Sequence, residues 1–260
     1  MKPPIKYYGG KGNMINKILE HFPSDYTIYV EPFGGSFSLG LKQNAKIEIY
    51  NDLEKNVYTL YKVISDNKLF QEFKFKADLT PYSEDLRKEY IEKLKTEKLT
   101  EVERAFYYFY VNRTSHSGTG GFSVSNIIRR NMSKSISDYL SAIDRLEQLH
   151  QRLSKVIMFN RNGIEIIRKY NHENVFIYCD PPYHQSTRTG ARYKQDMNNE
   201  QHIEFLKTVI ESKAKILISG YKNEIYDDYL QEWTEIQFEV KTMSGNYQKK
   251  VKTETLWKNY

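Results

Sequence analysis

Short runs rich in β-branched and aromatic residues punctuate the chain at 27–32 (TIYVEP), 46–52 (KIEIYND), 155–160 (KVIMFN), 175–180 (VFIYCD), 215–221 (KILISGY), 235–242 (EIQFEVKT) and 254–260 (ETLWKNY). Each has the length and residue types of a strand. Between several of them apolar positions recur at helical spacing, notably in IEIIRKY at 164–170 and QHIEFLKTVIESK at 201–213. Strands alternating with amphipathic helices predict an α/β fold, a mainly parallel sheet with helices on both faces.

The alternation breaks between about 55 and 154. Helical patterns dominate there, at 84–99 (EDLRKEYIEKLKTEKL), 101–112 (EVERAFYYFYVN) and 137–153 (SDYLSAIDRLEQLHQRL). In the last, Leu140, Ile143, Leu146, Leu149 and Leu153 form a helical stripe, which predicts one packed face and one wet face. The expected organisation is a main domain of residues 1–55 and 152–260 with a helical domain of 56–151 inserted. Between the inserted helices lies NRTSHSGTGGFSVSNIIRRN (112–131), rich in Gly, Ser and Asn and carrying Arg113, Arg129 and Arg130. A segment this long without a regular pattern is usually functional or disordered.

The 260 residues suffice for one main core plus a sizeable insertion, and 39% hydrophobic with 28% charged residues is a globular composition. The start, MKPPIKYYGG, has no apolar signal region, and the longest apolar run, VFIYC, is too short to span a bilayer, so a cytoplasmic protein is expected. A single cysteine, Cys179, excludes an internal disulfide and a cysteine-based zinc site. The net charge of +6 favours a polyanion, and 22 Tyr, 13 Phe and 2 Trp beside the basic residues suit bases and phosphates. Most of those rings belong to the core.

Two glycine-rich stretches precede the first acids of interest: KYYGGKG at 6–12 and VEPFGGSFSLGL at 30–41. The second follows a predicted strand, so Gly34 and Gly35 either let a ligand approach the backbone or simply make a tight turn. Asp52 ends the next strand, where an acid accepts hydrogen bonds from ribose hydroxyls in nucleotide folds or else caps a helix. The strand at 175–180 ends in Asp180-Pro181-Pro182-Tyr183. The two prolines fix their own φ and hold Asp180 extended, giving a stiff turn that offers a carboxylate, backbone carbonyls and a ring. Such a turn suits an exocyclic amine on a planar base. Two acceptors grip the amine hydrogens and aim the nitrogen lone pair at an electrophile, while the ring stacks on the base.

These elements, in this order, resemble the Dam-type (D12 class) DNA adenine-N6 methyltransferases, including those carried by bacteriophages. The likeness runs from KYYGGK to ETLWKNY, with a Gly-Gly-Lys element, a Phe-Gly-Gly turn, a helical insertion and then Asp-Pro-Pro-Tyr. It implies a Rossmann-like S-adenosylmethionine-dependent methyltransferase fold with an inserted helical target-recognition domain. The implied reaction is site-specific transfer of a methyl group to N6 of an adenine flipped out of double-stranded DNA. The enzyme would use no metal, act as a monomer or weakly associating dimer, and belong to restriction-modification chemistry.

By the same resemblance, Asp180 and the Pro181 carbonyl hold N6, Pro182 stiffens the turn and Tyr183 stacks on the base. Tyr7 and Lys11 flank the methionine end of the cofactor, Pro32, Phe33, Gly34 and Gly35 form its turn, and Asp52 takes its ribose. Asn162 stands where many relatives have an acid near the cofactor's adenine. Asn112, Arg113, His116, Ser117, Arg129 and Arg130 are the candidate DNA contacts. Asn112 and Arg113 either buttress the loop or touch DNA, and Arg129 and Arg130 either read bases or touch only phosphates. In GATC-methylating members an arginine reads guanine at the position of Gly121, so GATC is not supported as the recognised site unless Arg129 or Arg130 serves instead. Cytosine N4 in DNA, adenine N6 in RNA, a protein glutamine amide, or a non-catalytic DNA-binding relative are the alternatives.

Overall fold

The computed structural model describes residues 1–6, 14–96, 98–184, 186, 196–243 and 249–260, without the side chains of 240–243 and 249–252. Tyr7 and Lys11 lie outside the described residues. In chain order the elements are α1 (Ile15–Leu19), β1 (Ile28–Glu31), β2 (Ile47–Asn51), α2 (Lys55–Ser65), α3 (Asn67–Leu79), α4 (Glu84–Lys93) and α5 (Glu101–Thr114). A single 3-10 turn (His116–Gly118) leads to β3 (Ile128–Arg129), β4 (Met132–Ser133), α6 (Lys134–Ile143) and α7 (Leu146–Leu153). The remainder is β5 (Ile157–Phe159), α8 (Gly163–Lys169), β6 (Val175–Cys179), α9 (Asn199–Ile210), β7 (Lys215–Gly220), α10 (Glu224–Tyr229), β8 (Thr234–Met243) and β9 (Lys249–Lys258).

Two compact units form. One holds Glu20–Gly34, Ala45–Leu53 and Phe159–Tyr260; the other holds Met1–Leu19, Gly35–Asn44 and Glu54–Met158.

The first unit is built on a mixed sheet that, among the described residues, has seven strands in the order β5-β2-β1-β6-β7-β9-β8. β2, β1, β6 and β7 run parallel, β9 runs antiparallel to β7, and β8 antiparallel to β9. This is the mainly parallel α/β arrangement that the alternating pattern predicts, and it is Rossmann-like, as the resemblance implies. Its central strands β6 and β7 are nearly continuous apolar runs because both faces are covered: every residue of VFIYC in β6 is buried. Val30, Ile49, Ile177, Ile216 and Ile218 are fully buried within one core cluster to which α8 and α9 contribute Ile166, Ile167, Phe205 and Val209.

The strand order creates the place for a site. From β1 the chain moves outward to β2, whereas β6, on the other side of β1, is reached only after the long excursion through the helical elements. The turns leaving β1 and β6 therefore diverge at the carboxyl end of the sheet, the crevice in which open α/β sheets bind ligands.

The second unit is helical. α5 starts at a capping box, with Thr100 accepting from the Glu103 backbone and Glu103 accepting from the Thr100 backbone. Its apolar residues Phe106, Phe109 and Tyr110 are buried, and Phe109 meets Phe73 of α3 edge to face at 5.6 Å between ring centres. The single helix predicted over 137–153 is two helices. The chain breaks at Asp144–Arg145, so the apolar phase of α7 does not extend back to Leu140, which is 39% exposed, while Leu146, Leu149 and Leu153 are fully buried. The segment predicted as a loop also contains a small hairpin, β3–β4, closed by Arg130 and Asn131 at φ of 54° and 57°. Two central residues at positive φ make the turn whose twist matches a two-residue hairpin. Among the described residues no helix is long and apolar enough to cross a membrane.

Candidate active site at the strand ends

Asn51, the last residue of β2, ties the site together. It is fully buried, and its Nδ2 donates to the Pro32 carbonyl (2.7 Å) and to the Arg161 carbonyl (2.9 Å). Its Oδ1 accepts from the Arg161 backbone N–H at 2.9 Å, while the Asn51 carbonyl accepts from Gly34 N at 2.7 Å. One side chain thus joins the turn after β1, the end of β2 and the turn after β5. Only an amide has both the two donors and the acceptor this junction needs. Asn160 adds a second clasp, donating from Nδ2 to the carbonyls of Asp52 (2.6 Å) and Leu53 (3.1 Å).

Within this frame Pro32 is buried and Gly34 packs against the Tyr50 ring. A Cβ at Gly34 would sit inside the van der Waals envelope of the Tyr50 ring and 3.0 Å from the Asn51 carbonyl. Gly34 is therefore required by its own neighbours. Gly35 follows at a φ of 48°, in the left-handed region that glycine adopts without strain. The Phe33 ring turns inward. It meets Phe205 edge to face at 5.8 Å and covers Gly163, where a Cβ would come within 2.6–3.0 Å of the ring. Asp52 is buried at the end of β2. Asn162 caps α8, its Oδ1 accepting from Ile164 N at 2.9 Å.

The Asp-Pro-Pro-Tyr turn leaves β6 next to this frame. Asp180 is half-buried, Pro181 buried, and Pro182 and Tyr183 half-buried. Ser219 of β7, fully buried, donates from Oγ to Asp180 Oδ1 at 3.1 Å. With its one proton committed there, Ser219 Oγ accepts from the Tyr178 hydroxyl at 2.7 Å. Burial first, and then the charge of Asp180, push the Tyr178 phenol well above its ordinary range, which keeps it a donor. Burial, reinforced by Asp180, likewise pushes up the Cys179 thiol, so this cysteine is an inert core residue. Tyr183 donates its hydroxyl to Glu254 Oε1 at 2.9 Å and meets Tyr221 edge to face at 4.7 Å. A third acid, Glu31 at the end of β1, is buried and accepts from the Tyr29 hydroxyl at 2.7 Å. An acid thus ends β1 and others directly follow β2 and β6, and among the described residues no cluster of His, Cys, Asp or Glu could hold a metal ion.

The helical unit presents the other candidates. Asn112 is buried and engaged inward: its Oδ1 accepts from Lys6 N (2.8 Å), and its Nδ2 donates to the carbonyls of Lys6 (2.8 Å) and Gly118 (3.3 Å). Lys6 Nζ donates to the carbonyls of Arg113 (3.1 Å) and Ser115 (3.0 Å), and Arg87 donates to the Gly120 carbonyl at 2.6 Å. These bonds fix the shape of the loop. Arg113 carries a buried Nε without a hydrogen-bond partner, and its guanidinium is pushed down to about 10, first by burial and then by the charge of Arg145. His116 and Ser117 are exposed, Ser117 at a φ of 51°. Arg129 and Arg130 are exposed at the hairpin, Arg129 paired with Asp138 at 2.8 Å and Arg130 donating to Ser141 at 3.1 Å. Ile127 and Ile128 beside them are 63% and 79% exposed. At Gly121 a Cβ would meet nothing within 4 Å.

Asn51, Gly163, Ser219 and Glu254 did not stand out in the sequence. Only Asn51 carried a signal, its position beside Asp52 at a strand end; the others are brought to the site by neighbouring elements.

Residues 7–247 match the family model of the D12 class N6 adenine-specific DNA methyltransferases. Over the whole length of both chains, this one is 25% identical to the type II methyltransferase M.CviBI of Paramecium bursaria Chlorella virus NC1A. It is 26% identical to the type II methyltransferase M.MjaIII of Methanocaldococcus jannaschii, over 86% of this chain and 85% of that one. It is 23% identical to the DNA adenine methylase of Haemophilus influenzae, over 98% of this chain and 92% of the relative.

Proposed function

The chain belongs to the D12 class N6 adenine-specific DNA methyltransferase family, and on that premise we propose that the turn Asp180–Tyr183 grips the amine of an adenine extruded from double-stranded DNA beside bound S-adenosylmethionine. The observation that carries the reading is the rigid mounting of this turn: Asp180 is held by Ser219 and Tyr183 by Glu254, on the strands next to and beyond β6.

The residues fit the cofactor by the chemistry they offer. Asp180 after β6 and Asp52 at the end of β2 lie to either side of β1, so one acid can face a cationic centre and the other can accept from ribose hydroxyls. When bound, S-adenosylmethionine supplies a methyl group on a positively charged sulfur. Asn162 spends its Oδ1 on the helix cap, which leaves its Nδ2 as the group offered to the adenine of the cofactor. Pro32, Gly34 and Gly35 shape the turn along which the cofactor lies, and Phe33 supports that turn from the core side. Tyr7 and Lys11 are assigned to its methionine end by resemblance alone.

On the base, the Asp180 carboxylate and the Pro181 carbonyl accept the two N6 hydrogens, so the nitrogen lone pair turns out of conjugation with the ring and towards the methyl group. Tyr183 stacks on the extruded base and offsets part of the few kcal/mol that unstacking costs. In the helical unit, His116, Ser117 and the hairpin residues Arg129 and Arg130 contact DNA, Arg113 adds charge behind them, and Asn112 holds the loop in shape. Phosphate contacts of this kind make binding fall steeply with salt. Gly121, where the resemblance would put a guanine-reading arginine, leaves GATC unsupported as the recognised site.

Incubation with tritiated S-adenosylmethionine and unmethylated DNA, followed by nucleoside analysis and methylation-sensitive sequencing, tests the reading. The expected result is label in N6-methyladenine at one short motif, with Asp180→Ala slower by about 100-fold or more, since it removes an acceptor from the reacting nitrogen. Parent-like turnover by Asp180→Ala would overturn the assignment of the amine-gripping residue.

A further inference from the structure

Glu254 lies 71 residues beyond Tyr183 in the chain, on β9, and is only 3% exposed. A carboxylate taken out of water costs several kcal/mol unless its environment compensates. A buried acid on a strand that no glycine turn or Asp-Pro-Pro motif marks calls for a reason. The structure supplies one in the Tyr183 hydroxyl, 2.9 Å from Glu254 Oε1.

Tyr183 has a particular need for such a partner. The torsion about the bond to an aromatic ring is broad, so Pro181 and Pro182 fix the backbone of the turn but do not fix the plane of the ring. Two contacts do. The Tyr221 and Tyr183 rings meet edge to face at 4.7 Å and an interplanar angle of 64°, and Glu254 holds the ring tip. Both contacts come from elements outside the turn, since Tyr221 directly follows β7 and Glu254 pairs with Phe238 in the β8–β9 ladder.

We propose that Glu254 is a positioning residue for methyl transfer, setting the plane of the Tyr183 ring so that the target base stacks in register with Asp180. This rests on the reading of Tyr183 as the stacking residue. Glu254 touches neither base nor cofactor in this scheme and acts through the Tyr183 hydroxyl.

The test is a double-mutant cycle on single-turnover methylation, with the affinity for S-adenosylhomocysteine and the thermal midpoint measured alongside. Glu254→Leu removes the acceptor and should slow methyl transfer by roughly 10- to 50-fold, the range of one strong hydrogen bond, with cofactor affinity within about twofold of the parent. Glu254→Gln keeps a carbonyl oxygen for the hydroxyl and should retain most of the rate. Tyr183→Phe keeps the ring and loses the hydroxyl, so it should resemble Glu254→Leu, and the double variant should be no slower than either single one.

Additive losses in the double variant, or a parent-like rate for Tyr183→Phe, would overturn the proposal. Because Tyr183→Phe does not alter the β9 core, that arm stands even if Glu254→Leu fails to fold. Tyr183→Ala separates the two levels: a parent-like rate would remove the stacking role and the proposal with it. A slow Tyr183→Ala beside a fast Tyr183→Phe would leave stacking in place and remove Glu254 alone.

Discussion

Asn51→Asp is the substitution that most directly tests how the site is held. Asn51 and aspartate have nearly the same shape, so packing is preserved while the hydrogen-bond pattern is reversed at one atom. The Nδ2 that now donates to Pro32 O at 2.7 Å and Arg161 O at 2.9 Å becomes an oxygen facing two carbonyl oxygens. Each buried acceptor left without its donor costs about 1–3 kcal/mol, and a buried carboxylate adds to this. A total on the order of 4–6 kcal/mol translates, at roughly 2–4 °C per kcal/mol for a chain of this size, into a fall in Tm of roughly 10–20 °C. The variant aspartate would have its folded pKa raised by burial and by the facing carbonyls, so its penalty is present at high pH and shrinks as pH falls and the acid regains a donor. Thermal unfolding followed by circular dichroism at pH 8 and pH 5.5, with calorimetric titration of S-adenosylhomocysteine, reads both effects. A Tm within about 2 °C of the parent at pH 8, less than roughly 1 kcal/mol would produce, refutes the argument that this side chain ties the strand ends together.

Two further predictions address the neighbours of the site and of the DNA loop. Ser219→Ala removes the hydroxyl that holds Asp180 and should lower kcat by about 10- to 100-fold, the effect of one hydrogen bond to a carboxylate, while KM for the cofactor changes little; equal changes in both would argue for a merely structural role. Arg113 has a folded pKa pushed below its ordinary value, and an arginine keeps its proton at any pH the protein survives, so its charge detracts from stability throughout the range below about 10. Arg113→Met should therefore raise Tm by a few °C at pH 7.5 and weaken DNA binding, and a lowered Tm would show that Arg113 is a structural buttress instead.

The chain pattern revealed those parts of the molecule in which the cause is local. The central strands β6 and β7 are apolar runs because both faces are covered, and Asp-Pro-Pro-Tyr is visible because proline restricts its neighbours wherever it stands. The residues that hold the turn were not visible. Ser219 reaches Asp180 across 39 residues, Glu254 reaches Tyr183 across 71, and Asn51 reaches Arg161 across 110, so no spacing rule links them. The continuous stripe from Leu140 to Leu153 misled for the opposite reason. Its periodicity is real within each helix, but a break at Asp144–Arg145 restarts the phase. The β3–β4 hairpin escaped notice because its turn residues, Arg130 and Asn131, lack the glycine that usually announces positive φ.

The same residue types do different work in the two units, and burial together with hydrogen bonding separates the roles. Gly34 and Gly118 are both demanded by close backbone approach, Gly34 by Tyr50 and Gly118, at a φ of 88°, by the Lys6 carbonyl, whereas Gly121 faces open space and is free to vary. Asn51 and Asn112 are both buried amides with every polar atom engaged, one joining strand ends and the other shaping a loop. Arg113 and Arg129 divide in the reverse way. Arg129 has an acid and water for company and costs little, while Arg113 holds a buried guanidinium nitrogen with nothing to bind. Because that Nε is enclosed by the protein, no ligand at the surface reaches it without a shift of the side chain, and Arg113→Met measures the cost of enclosing it directly.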